Sequence, residues 1–388
     1  MSVPPPTGYR DIRLAIVQHG DIAEALRLRA SGAGEPYFGM FYTLDTLDRV
    51  FAGLDQLIVS LNAPPYDMQE ENRRLVSIPQ PAMLFRCRGR WLEQLRCRQI
   101  LAAIAEFRPT HLLLRTGGTI LRRLLIGLRE QRLSTLVICA NIFAGRHDRA
   151  TQRLVRELNA PHIFRIANHR EPATQSMVDA GVDRKRVVAY DWPGQRLAED
   201  YPPKILQADS SRFELLYVGT VSEDKGVGDV VGAIRLLCDS GLQVRLTAMG
   251  SGQLPSVITT GMGEDRLRMP GRCDNATVFA AMRNAHIVLV PSRHSFSEGF
   301  PFTLTEALAS RTPVVVSDHP VFLRALQDGQ GVTFARAADP QSLAHRIREV
   351  LTDPSLYRSL SLTTADALRR VRCDTTFGDL LDMWRGTF

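Results

Sequence analysis

Short apolar runs that alternate with segments of helical length constrain the fold of this chain more than any other feature. The runs have strand length and are rich in valine, isoleucine and leucine. They lie at 12–17, 56–61, 111–114, 136–140, 162–167 and 186–190 in the first half, and at 213–218, 244–249, 286–290 and 313–316 in the second. A polar, glycine-containing stretch, 18–34, follows the first run, and we assign no element to it. Alternating strands and helices at these lengths predict crossover connections, and therefore an α/β protein with parallel sheets.

A polar stretch at 191–211 separates the two series of strands. It holds three prolines and one glycine and shows no sustained period, which is typical of an interdomain connection. We therefore place an N-terminal domain at 1–193, a linker at 194–211 and a C-terminal domain at 212–368, followed by a C-terminal helix within 369–388. The sequence predicts two Rossmann-like domains whose sheets present their carboxyl ends to a central cleft.

Composition limits where in the cell the protein is expected and which kinds of partner it is expected to bind. The 388 residues carry a formal charge of +7, which favours anionic partners such as nucleotides, phosphosugars, anionic lipid or nucleic acid. No run approaches the ~18 apolar residues of a membrane span, and the N-terminal segment lacks the pattern of a secretory signal, so we expect a cytoplasmic protein. The six cysteines form no C-x-x-C pair, which argues against a zinc ribbon or a disulfide framework. Only three basic residues are lysine, namely Lys185, Lys204 and Lys225.

Loops that follow strands and open helices are the candidate sites for an anionic ligand, because free backbone N–H groups and the helix dipole favour negative charge there. In the loop 217–226, Gly219 allows the backbone to approach a ligand and Lys225 can place an ammonium beside phosphate oxygens. By itself the pattern also fits an ordinary strand-to-helix turn.

A second loop contains Gly250 and Gly252 directly after a predicted strand. A dinucleotide-binding fingerprint would need glycine or alanine at position 255, where Pro255 stands. We therefore interpret this loop as a tight turn and expect no nicotinamide dinucleotide.

The third loop is the most informative, because it brings two carboxylates to the start of one helix. Glu298 lies in the loop, the helix begins near Pro301, and Glu306 lies inside the helix. Carboxylates accept hydrogen bonds from two sugar hydroxyls at once, while first-turn N–H groups suit phosphates. Each glutamate alone also fits a structural role, as an acid at a helix N-terminus or as a solvated helix residue.

Glu298-Gly-Phe-Pro followed by Glu306 resembles the E-x7-E signature of retaining glycosyltransferases of family 4, which have the GT-B fold. Other segments agree with the family in order and spacing: the Gly219 to Gly226 loop, the Gly250 to Gly252 turn, Pro270-Gly271, and 331–340. The resemblance covers about residues 213–350, and the first half resembles the family in its alternation.

The resemblance implies that the C-terminal domain binds a nucleotide-diphosphate sugar and the N-terminal domain binds a glycan or lipid-linked acceptor. The C-terminal helix would pack back on the N-terminal domain. Lys225 would contact the diphosphate, Glu298 the hydroxyls of the transferred sugar and Glu306 the ribose, with Glu298 and Lys225 as the catalytic residues. The implied donor-binding set is Gly219, Thr220, Lys225, Gly299, Phe300, Thr303, Leu304, Thr305 and Glu306.

Two departures of this sequence from the family matter most. Thr220 stands where an arginine usually adds a second phosphate cation, and Arg293 is a candidate substitute. Asn141 follows the N-domain strand that often ends in a histidine, and His19 is a candidate substitute for that histidine. In the first loop of the family a glycine pair lies near the phosphates, and Gly34, or its neighbour Gly32, would take this part.

The chain contains no D-x-D motif, so we expect a metal-independent reaction without a further cofactor, in which a cation and a helix terminus stabilise the leaving phosphate. The resemblance favours attack on the same face of the sugar. Three alternatives stay open: a non-catalytic or degenerate sugar-nucleotide-binding protein of this fold, a sugar-nucleotide epimerase, and a pyridoxal-phosphate-dependent phosphorylase, for which the lysines offer few candidates. No nucleic-acid-binding motif is evident.

The segment 86–98 holds five arginines around Trp91, and Arg122, Arg123, Arg129 and Arg132 follow in the same domain. This fits a surface helix that docks on anionic lipid, and it fits equally a solvated helix face in an arginine-rich chain. The sequence thus leaves peripheral contact with the inner face of a membrane open.

Overall fold

Two units, each built around its own sheet, make up the chain in this computed structural model. The first unit comprises Met1–Pro193 and Cys373–Phe388, and the second comprises Gly194–Arg372. The structure describes residues 12–36, 39–79, 89–143, 148–193, 196–207, 211–296 and 298–388.

The first unit contains a sheet of eight strands in the order β3-β4-β2-β1-β5-β6-β7-β8. The strands are β1 (Arg13–Gln18), β2 (Asp55–Ser60), β3 (Tyr66–Glu70), β4 (Arg73–Ser77), β5 (His111–Arg115), β6 (Ser134–Cys139), β7 (Ile163–His169) and β8 (Val187–Tyr190). The helices before the second unit are α1 (Ile22–Ala30), α2 (Met40–Val50), α3 (Gly89–Phe107), α4 (Gly118–Gly127), α5 (Arg149–Leu158) and α6 (Arg170–Ala180).

All pairs in this sheet are parallel except β3 with β4. At its centre, Ile16 of β1 lies in register between Ile58 of β2 and Leu113 of β5. All three side chains are at most 1% exposed. Helices cover both faces of a parallel sheet, and this is why the strands appear in the sequence as continuous apolar runs.

The second unit contains a sheet of six parallel strands in the order β11-β10-β9-β12-β13-β14. The strands are β9 (Phe213–Val218), β10 (Val244–Met249), β11 (Leu267–Gly271), β12 (Ile287–Val290), β13 (Val314–Ser317) and β14 (Val332–Ala335). The helices are α7 (Val227–Asp239), α8 (Ser256–Thr259), α9 (Asn275–Asn284), α10 (Phe302–Ala309), α11 (Pro320–Ala325), α12 (Pro340–Thr352) and α13 (Pro354–Val371). The prediction of two α/β domains with parallel sheets is confirmed.

Residues 196–207, inside the stretch assigned to the linker, pack against the second unit. The ammonium of Lys204 donates to the carbonyl oxygens of Met282 (3.0 Å) and Ala285 (2.6 Å). The guanidinium of Arg311 donates to the carbonyl oxygen of Ala198 at 2.7 Å. These buried hydrogen bonds hold the segment without any apolar period, which explains why its sequence looks like a connection.

The chain returns to the first unit with α14 (Phe377–Arg385). This helix contacts α2 and buries Phe377, Leu380, Leu381 and Trp384 completely. A capping box at Thr376 and Asp379 fixes where it begins, since each residue's side chain accepts from the other's backbone N–H. Burial of four large apolar side chains anchors this short helix far more strongly than its intrinsic helix propensity would.

Candidate active site

The candidate site of the second unit lies at the carboxyl ends of two adjacent parallel strands, β9 and β12. The loop after β9 carries Lys225 and the loop after β12 carries Glu298. Because these strands pair side by side, their following loops meet at one edge of the sheet. The Nζ atom of Lys225 lies 2.6 Å from Oε2 of Glu298, so residues 73 positions apart form one ion pair.

Glu298 is held by a second donor in a buried position. The hydroxyl of Ser292 donates to the same Oε2 atom at 2.6 Å, and Glu298 is only 5% exposed. The Lys225 ammonium also lies 4.2 Å from the ring centre of Phe296, in cation–π geometry. Two donors on one oxygen fix the direction of the carboxylate before any ligand arrives.

Tyr217 and His319 show the electrostatic character of this site. Burial, together with the charge of Glu298, raises the pKa of Tyr217, and its hydroxyl donates to the carbonyl oxygen of Thr220 at 2.6 Å. Burial lowers the pKa of His319, whose Nε2 atom lies 3.1 Å from the carbonyl oxygen of Phe296. The surroundings of Glu298 therefore have low polarity, which strengthens each charged contact made there.

Glycines bring the loops after β9 and β10 into direct contact. A Cβ atom on Gly250 would lie 1.8 Å from the carbonyl oxygen of Gly219, and one on Gly252 would lie 2.3 Å from that of Val221. Both glycines also have positive φ angles, 147° and 119°. The turn at 249–252 is thus a tight turn that supports the neighbouring loop, which the sequence analysis interpreted as a separate feature.

Gly226 fixes the position of Lys225 in the same way. It has a φ of 73° and precedes α7, and a Cβ atom there would lie 2.2 Å from the carbonyl oxygen of Pro291. The lysine loop therefore rests on the start of the loop that carries Glu298. Larger residues at position 226 would push the two loops, and the ion pair, apart.

Glu306 lies on α10 and has partners of its own. Its Oε1 atom accepts from Nδ2 of Asn275 at 2.6 Å and lies 3.5 Å from a guanidinium nitrogen of Arg196. The Arg196 guanidinium also lies over the ring of Phe279, 4.2 Å from its centre. The two glutamates of the signature thus sit in separate polar environments. Asn275, Arg196 and Ser292 are site residues that sequence reasoning missed, since they lie outside the motif.

The remaining residues of the implied donor set surround the first turn of α10. The hydroxyl of Thr303 donates to the carbonyl oxygen of Val218 at 3.1 Å, which ties this turn to the end of β9. Phe300 and Leu304 are buried side chains, and the hydroxyl of Thr305 donates to the carbonyl oxygen of Phe302 at 2.9 Å. Gly299 is buried as well. Contacts from this set to a ligand would therefore come from backbone groups, in line with the use that the resemblance implies.

Arg293, the candidate substitute for the arginine that Thr220 replaces, is held by two acids in this structure. Its guanidinium donates to both carboxylate oxygens of Asp229, at 2.8 and 2.7 Å, and to Glu223 at 2.9 Å. These acids raise the pKa of Arg293 further above its usual value. The Arg293 guanidinium therefore ties its own loop to Glu223 and Asp229, which flank Lys225 in the chain. Thr220 itself is exposed.

His19 and Asn141 lie together in the first unit, whereas Gly34 lies elsewhere. Both side chains line a cavity of about 580 Å³ at the carboxyl ends of the strands of the first sheet. The Nε2 atom of His19 lies 3.2 Å from the hydroxyl oxygen of Thr116. Gly34 is exposed on the segment after α1, does not line this cavity, and has no atom within 4 Å of the position of a Cβ.

Residues 202–365 match the family described as glycosyl transferases group 1. A phosphatidyl-myo-inositol mannosyltransferase of Mycobacterium leprae is 30% identical over 158 residues, which is 40% of this chain and 42% of that protein. A colanic acid biosynthesis glycosyltransferase, WcaL of Salmonella typhimurium, is 26% identical over 47% of this chain and 51% of that protein. The chain thus spans about half the length, or less, of these curated relatives.

Solved structures resemble the whole chain. HepE of Anabaena, determined in complex with UDP, covers 97% of this chain and 98% of its own with a TM-score of 0.61 and 13% identity. The molecule has the GT-B fold. A sucrose-phosphate synthase of Thermosynechococcus elongatus covers the same shares of the two chains with a TM-score of 0.63 and 15% identity. At such identities the likeness concerns the fold.

The described residues contain neither a membrane-spanning helix nor a cluster of metal ligands. No described helix is long and apolar enough to cross a bilayer. Among the same residues, no group of three or more histidine, cysteine, aspartate or glutamate side chains is arranged to hold a metal ion.

Proposed function

We propose that this protein is a metal-independent retaining glycosyltransferase that moves a sugar from a nucleotide-diphosphate sugar to a glycan or lipid-linked acceptor. The observation that carries the proposal is the ion pair between partly buried Lys225 and buried Glu298. Glu306 lies on α10, the helix that follows Glu298, and all three residues lie inside the segment that matches glycosyl transferases group 1. One ammonium, one helix terminus and two separately held carboxylates match the parts of an activated sugar.

Each part of the donor has a partner of suitable chemistry. Glu306, oriented by Asn275 and Arg196, can accept hydrogen bonds from both ribose hydroxyls. Lys225 and the backbone N–H groups of the first turn of α10 suit the diphosphate. Glu298 suits the hydroxyls of the transferred sugar. These assignments account for both glutamates of the signature and for their different neighbours.

The ion pair between Lys225 and Glu298 implies an exchange of partners when the donor binds. In this structure partly buried Lys225 and buried Glu298 satisfy each other. With a donor, the ammonium turns to the diphosphate and the sugar hydroxyls replace it on the carboxylate. The exchange avoids an unpaired buried charge at every stage, which would otherwise be strongly destabilising.

The reaction then proceeds by attack on the same face of the sugar. The acceptor hydroxyl oxygen forms the new bond to the anomeric carbon while the bond from that carbon to the diphosphate oxygen breaks. The hydroxyl proton passes to the departing phosphate oxygen, which carries the electron pair. Lys225 and the helix terminus stabilise the negative charge that develops there, and Glu298 holds the sugar without forming a covalent bond.

A donor-binding panel followed by product stereochemistry tests the proposal. We expect a nucleotide-diphosphate sugar among the UDP, GDP and ADP forms to raise the melting temperature of the full chain, without added metal. Substitution Glu306→Gln should weaken this shift, whereas Glu349→Gln, a control on α12, should not. With an acceptor, proton NMR should show a product that keeps the anomeric configuration of the donor. Absence of a shift with every donor, or an inverted product, would overturn the proposal.

A non-catalytic sugar-nucleotide-binding protein is the second candidate, and one observation favours it. Thr220 stands where the family usually has an arginine that contacts the phosphates, and the guanidinium of Arg293 donates to Asp229 and Glu223. Slow hydrolysis of the donor in water discriminates between the two, because a transferase leaks in this way and a binding protein does not. Formation of an isomerised nucleotide sugar in the same assay would indicate an epimerase.

We also propose that the protein acts in the cytoplasm, with peripheral contact to an anionic membrane through α3. Trp91 and Leu95 lie one turn apart on this helix and are 64% and 41% exposed, and Arg98 is exposed beside them. Residues 80–88, which include two of the five arginines, lie outside the described residues. Trp91→Ser should reduce flotation with anionic liposomes and should not matter with neutral ones. Equal flotation of both proteins would refute the contact.

A further inference from the structure

The cavity of the first unit is formed where four neighbouring parallel strands end. β2 is followed by Asn62, β1 by His19, β5 by Thr116 and β6 by Asn141, and all four residues line the cavity. Its volume of about 580 Å³ is large enough for a sugar-sized group. Its chemistry differs from that of the candidate active site, and the difference points to a ligand.

The permanent charge at the wall of this cavity is that of Arg115. Among the described residues, no aspartate or glutamate lines the cavity. Arg115 lines it, and its guanidinium donates to Oε1 of Gln18 at 2.7 Å. Arg115 forms no ion pair with any described residue. Nearby Arg96 is 4% exposed and donates only to carbonyl oxygens of Ile78 and Leu61 among the described residues. Two guanidinium charges therefore act on this region. Glu93 acts on Arg96 through its charge, and neither guanidinium forms an ion pair with a described acid.

The surroundings confirm this imbalance. Burial, with the charges of Arg96 and Arg115, lowers the pKa of His19. The carboxylate that acts on the cavity residue Tyr190 is Asp191, and both of its oxygens already accept from the guanidinium of Arg170, at 3.1 and 3.0 Å. An incoming anion would thus meet uncompensated positive charge.

Gln18 adds a buried donor that lacks an acceptor. The residue is 1% exposed and lines the cavity. Its Oε1 atom is taken by Arg115, so the Nε2 group is the free donor, and it has no hydrogen-bond partner in the described part of the chain. Such a group costs about 1–3 kcal/mol of stability when unsatisfied, and a ligand oxygen would recover it.

The N-terminus of α4 provides a third donor region. The helix follows the cavity residues Thr116 and Gly117, its N-cap Gly117 has no side-chain cap, and its first turn holds no acidic residue. α1 begins differently, since Asp21 accepts from the backbone N–H of Glu24. Uncapped first-turn N–H groups and the helix dipole favour a negatively charged oxygen.

We propose that this cavity binds an anionic group of the acceptor, a phosphate or a carboxylate, through Arg115, the amide of Gln18 and the N-terminus of α4. That the ligand is an acceptor rests on the proposed transferase function. The inference narrows the acceptor to anionic glycans or phosphate-bearing lipids and sugars. The chemistry of the cavity, cationic and free of carboxylates, would instead give a neutral sugar few acceptors for its hydroxyl protons.

Calorimetric titration of the full chain with three probes tests the proposal: glucose 6-phosphate, glucuronate and neutral glucose. We expect at least one of the two anions to bind and glucose to bind at least tenfold more weakly, which is the order expected for a hydrogen bond to a charged group. Arg115→Gln should weaken binding of the anion about tenfold, and Arg115→Lys should restore part of it because the positive charge returns. Arg156→Gln, on an exposed position of α5, is the matched control and should change nothing.

A second pair of variants distinguishes anion binding in this cavity from anion binding in the donor site. Gln18→Met removes the buried amide without altering charge and should weaken anion binding even if Arg115→Gln disturbs folding. Lys225→Met should leave it unchanged. Loss of binding in Lys225→Met but not in the Arg115 and Gln18 variants would place the anion in the donor site and overturn the inference, as would equal binding of glucose. Donor binding without anion binding sinks this inference alone. Anion binding without donor binding sinks the proposed function and leaves the cavity as an anion site with no acceptor role.

Discussion

The candidate site of the second unit pairs Lys225 with a carboxylate, whereas the cavity of the first unit holds Arg115, which forms no ion pair with any described residue. In the second unit, Lys225 contacts Glu298 at 2.6 Å, so the charges of these two groups cancel. In the first unit, Arg115 contacts only a neutral amide and aromatic rings among the described residues, including the ring of Phe377 at 4.7 Å. A paired cation suits a ligand that brings both hydroxyl donors and phosphate oxygens. An unpaired cation suits a ligand that brings negative charge alone.

The largest effect that would test this comparison is expected at Glu298. Glu298→Gln keeps the shape and the hydrogen bond from Ser292 but removes the charge, so sugar hydroxyls are held less firmly in the transition state. We expect sugar transfer to fall by about a hundred- to a thousandfold with the fold retained. Initial rates measured with saturating donor, beside Glu349→Gln and a circular dichroism spectrum, provide the check. Full activity in the glutamine variant would remove the catalytic assignment.

Lys225 should show the next largest effect, and the chain offers a matched control. Lys225→Met removes the ammonium that faces the diphosphate, so the affinity for the nucleotide sugar should fall about ten- to a hundredfold. Lys185, exposed in the first unit, should tolerate the same change. Titration calorimetry with the donor identified by thermal shift measures both. Equal affinities would mean that the pair with Glu298 serves only the fold.

Lys204 sharpens the comparison, because it is a buried cation whose partners are carbonyl oxygens. Burial, with the charge of Arg283, lowers its pKa to about 7. The unfolded chain keeps this proton up to about pH 10, so the free energy of unfolding should rise by about 1.4 kcal/mol per pH unit above pH 7 from this group and show no such rise below it.

Chemical denaturation between pH 7 and 9 isolates this contribution when the chain is compared with Lys204→Met. His286 titrates nearby, and burial lowers its pKa, but it is present in both proteins. The difference in unfolding free energy between the two should therefore grow with pH. A constant difference would show that the ammonium stays protonated in the folded chain.

The smallest effect is expected at Gln18. Gln18→Met removes an unsatisfied buried donor, so the free energy of unfolding should change by less than about 1 kcal/mol while anion binding weakens. Urea denaturation measures the first quantity and the glucose 6-phosphate titration the second. A large loss of stability would show instead that the amide mainly supports Arg115.

Several parts of the fold were predictable from local pattern, and others were not. The continuous apolar runs gave β1, β2 and β5 to within one residue, because a parallel strand covered on both faces must be apolar throughout. β3 was missed because it lies at the edge of the sheet and its last four residues are exposed. α1 was missed because its start depends on the Asp21 cap rather than on a strong apolar stripe.

The sequence pointed to the three charged residues of the candidate site. It did not point to the residues that hydrogen-bond to them. Lys225, Glu298 and Glu306 follow strands or open a helix, and that placement is visible in the sequence. Asn275 and Arg196 carry no local signal, since they reach Glu306 from remote segments of the chain. Ser292 lies in the same loop as Glu298, but only the folded loop brings its hydroxyl to the carboxylate. The pairing of Arg293 with Asp229, 64 positions away, is likewise visible only in the structure.

The sequence by itself determined the alternation of strands and helices, and with it the edge of each sheet at which chemistry can occur, because periodicity and turn residues act over a few positions. The tertiary structure decided which charges are neutralised. Lys225 meets Glu298 and Arg293 meets Asp229, while Arg115 meets no acid among the described residues. Pairing of charges depends on distances of a few ångströms between segments remote in the chain, and only packing of the strands sets those distances.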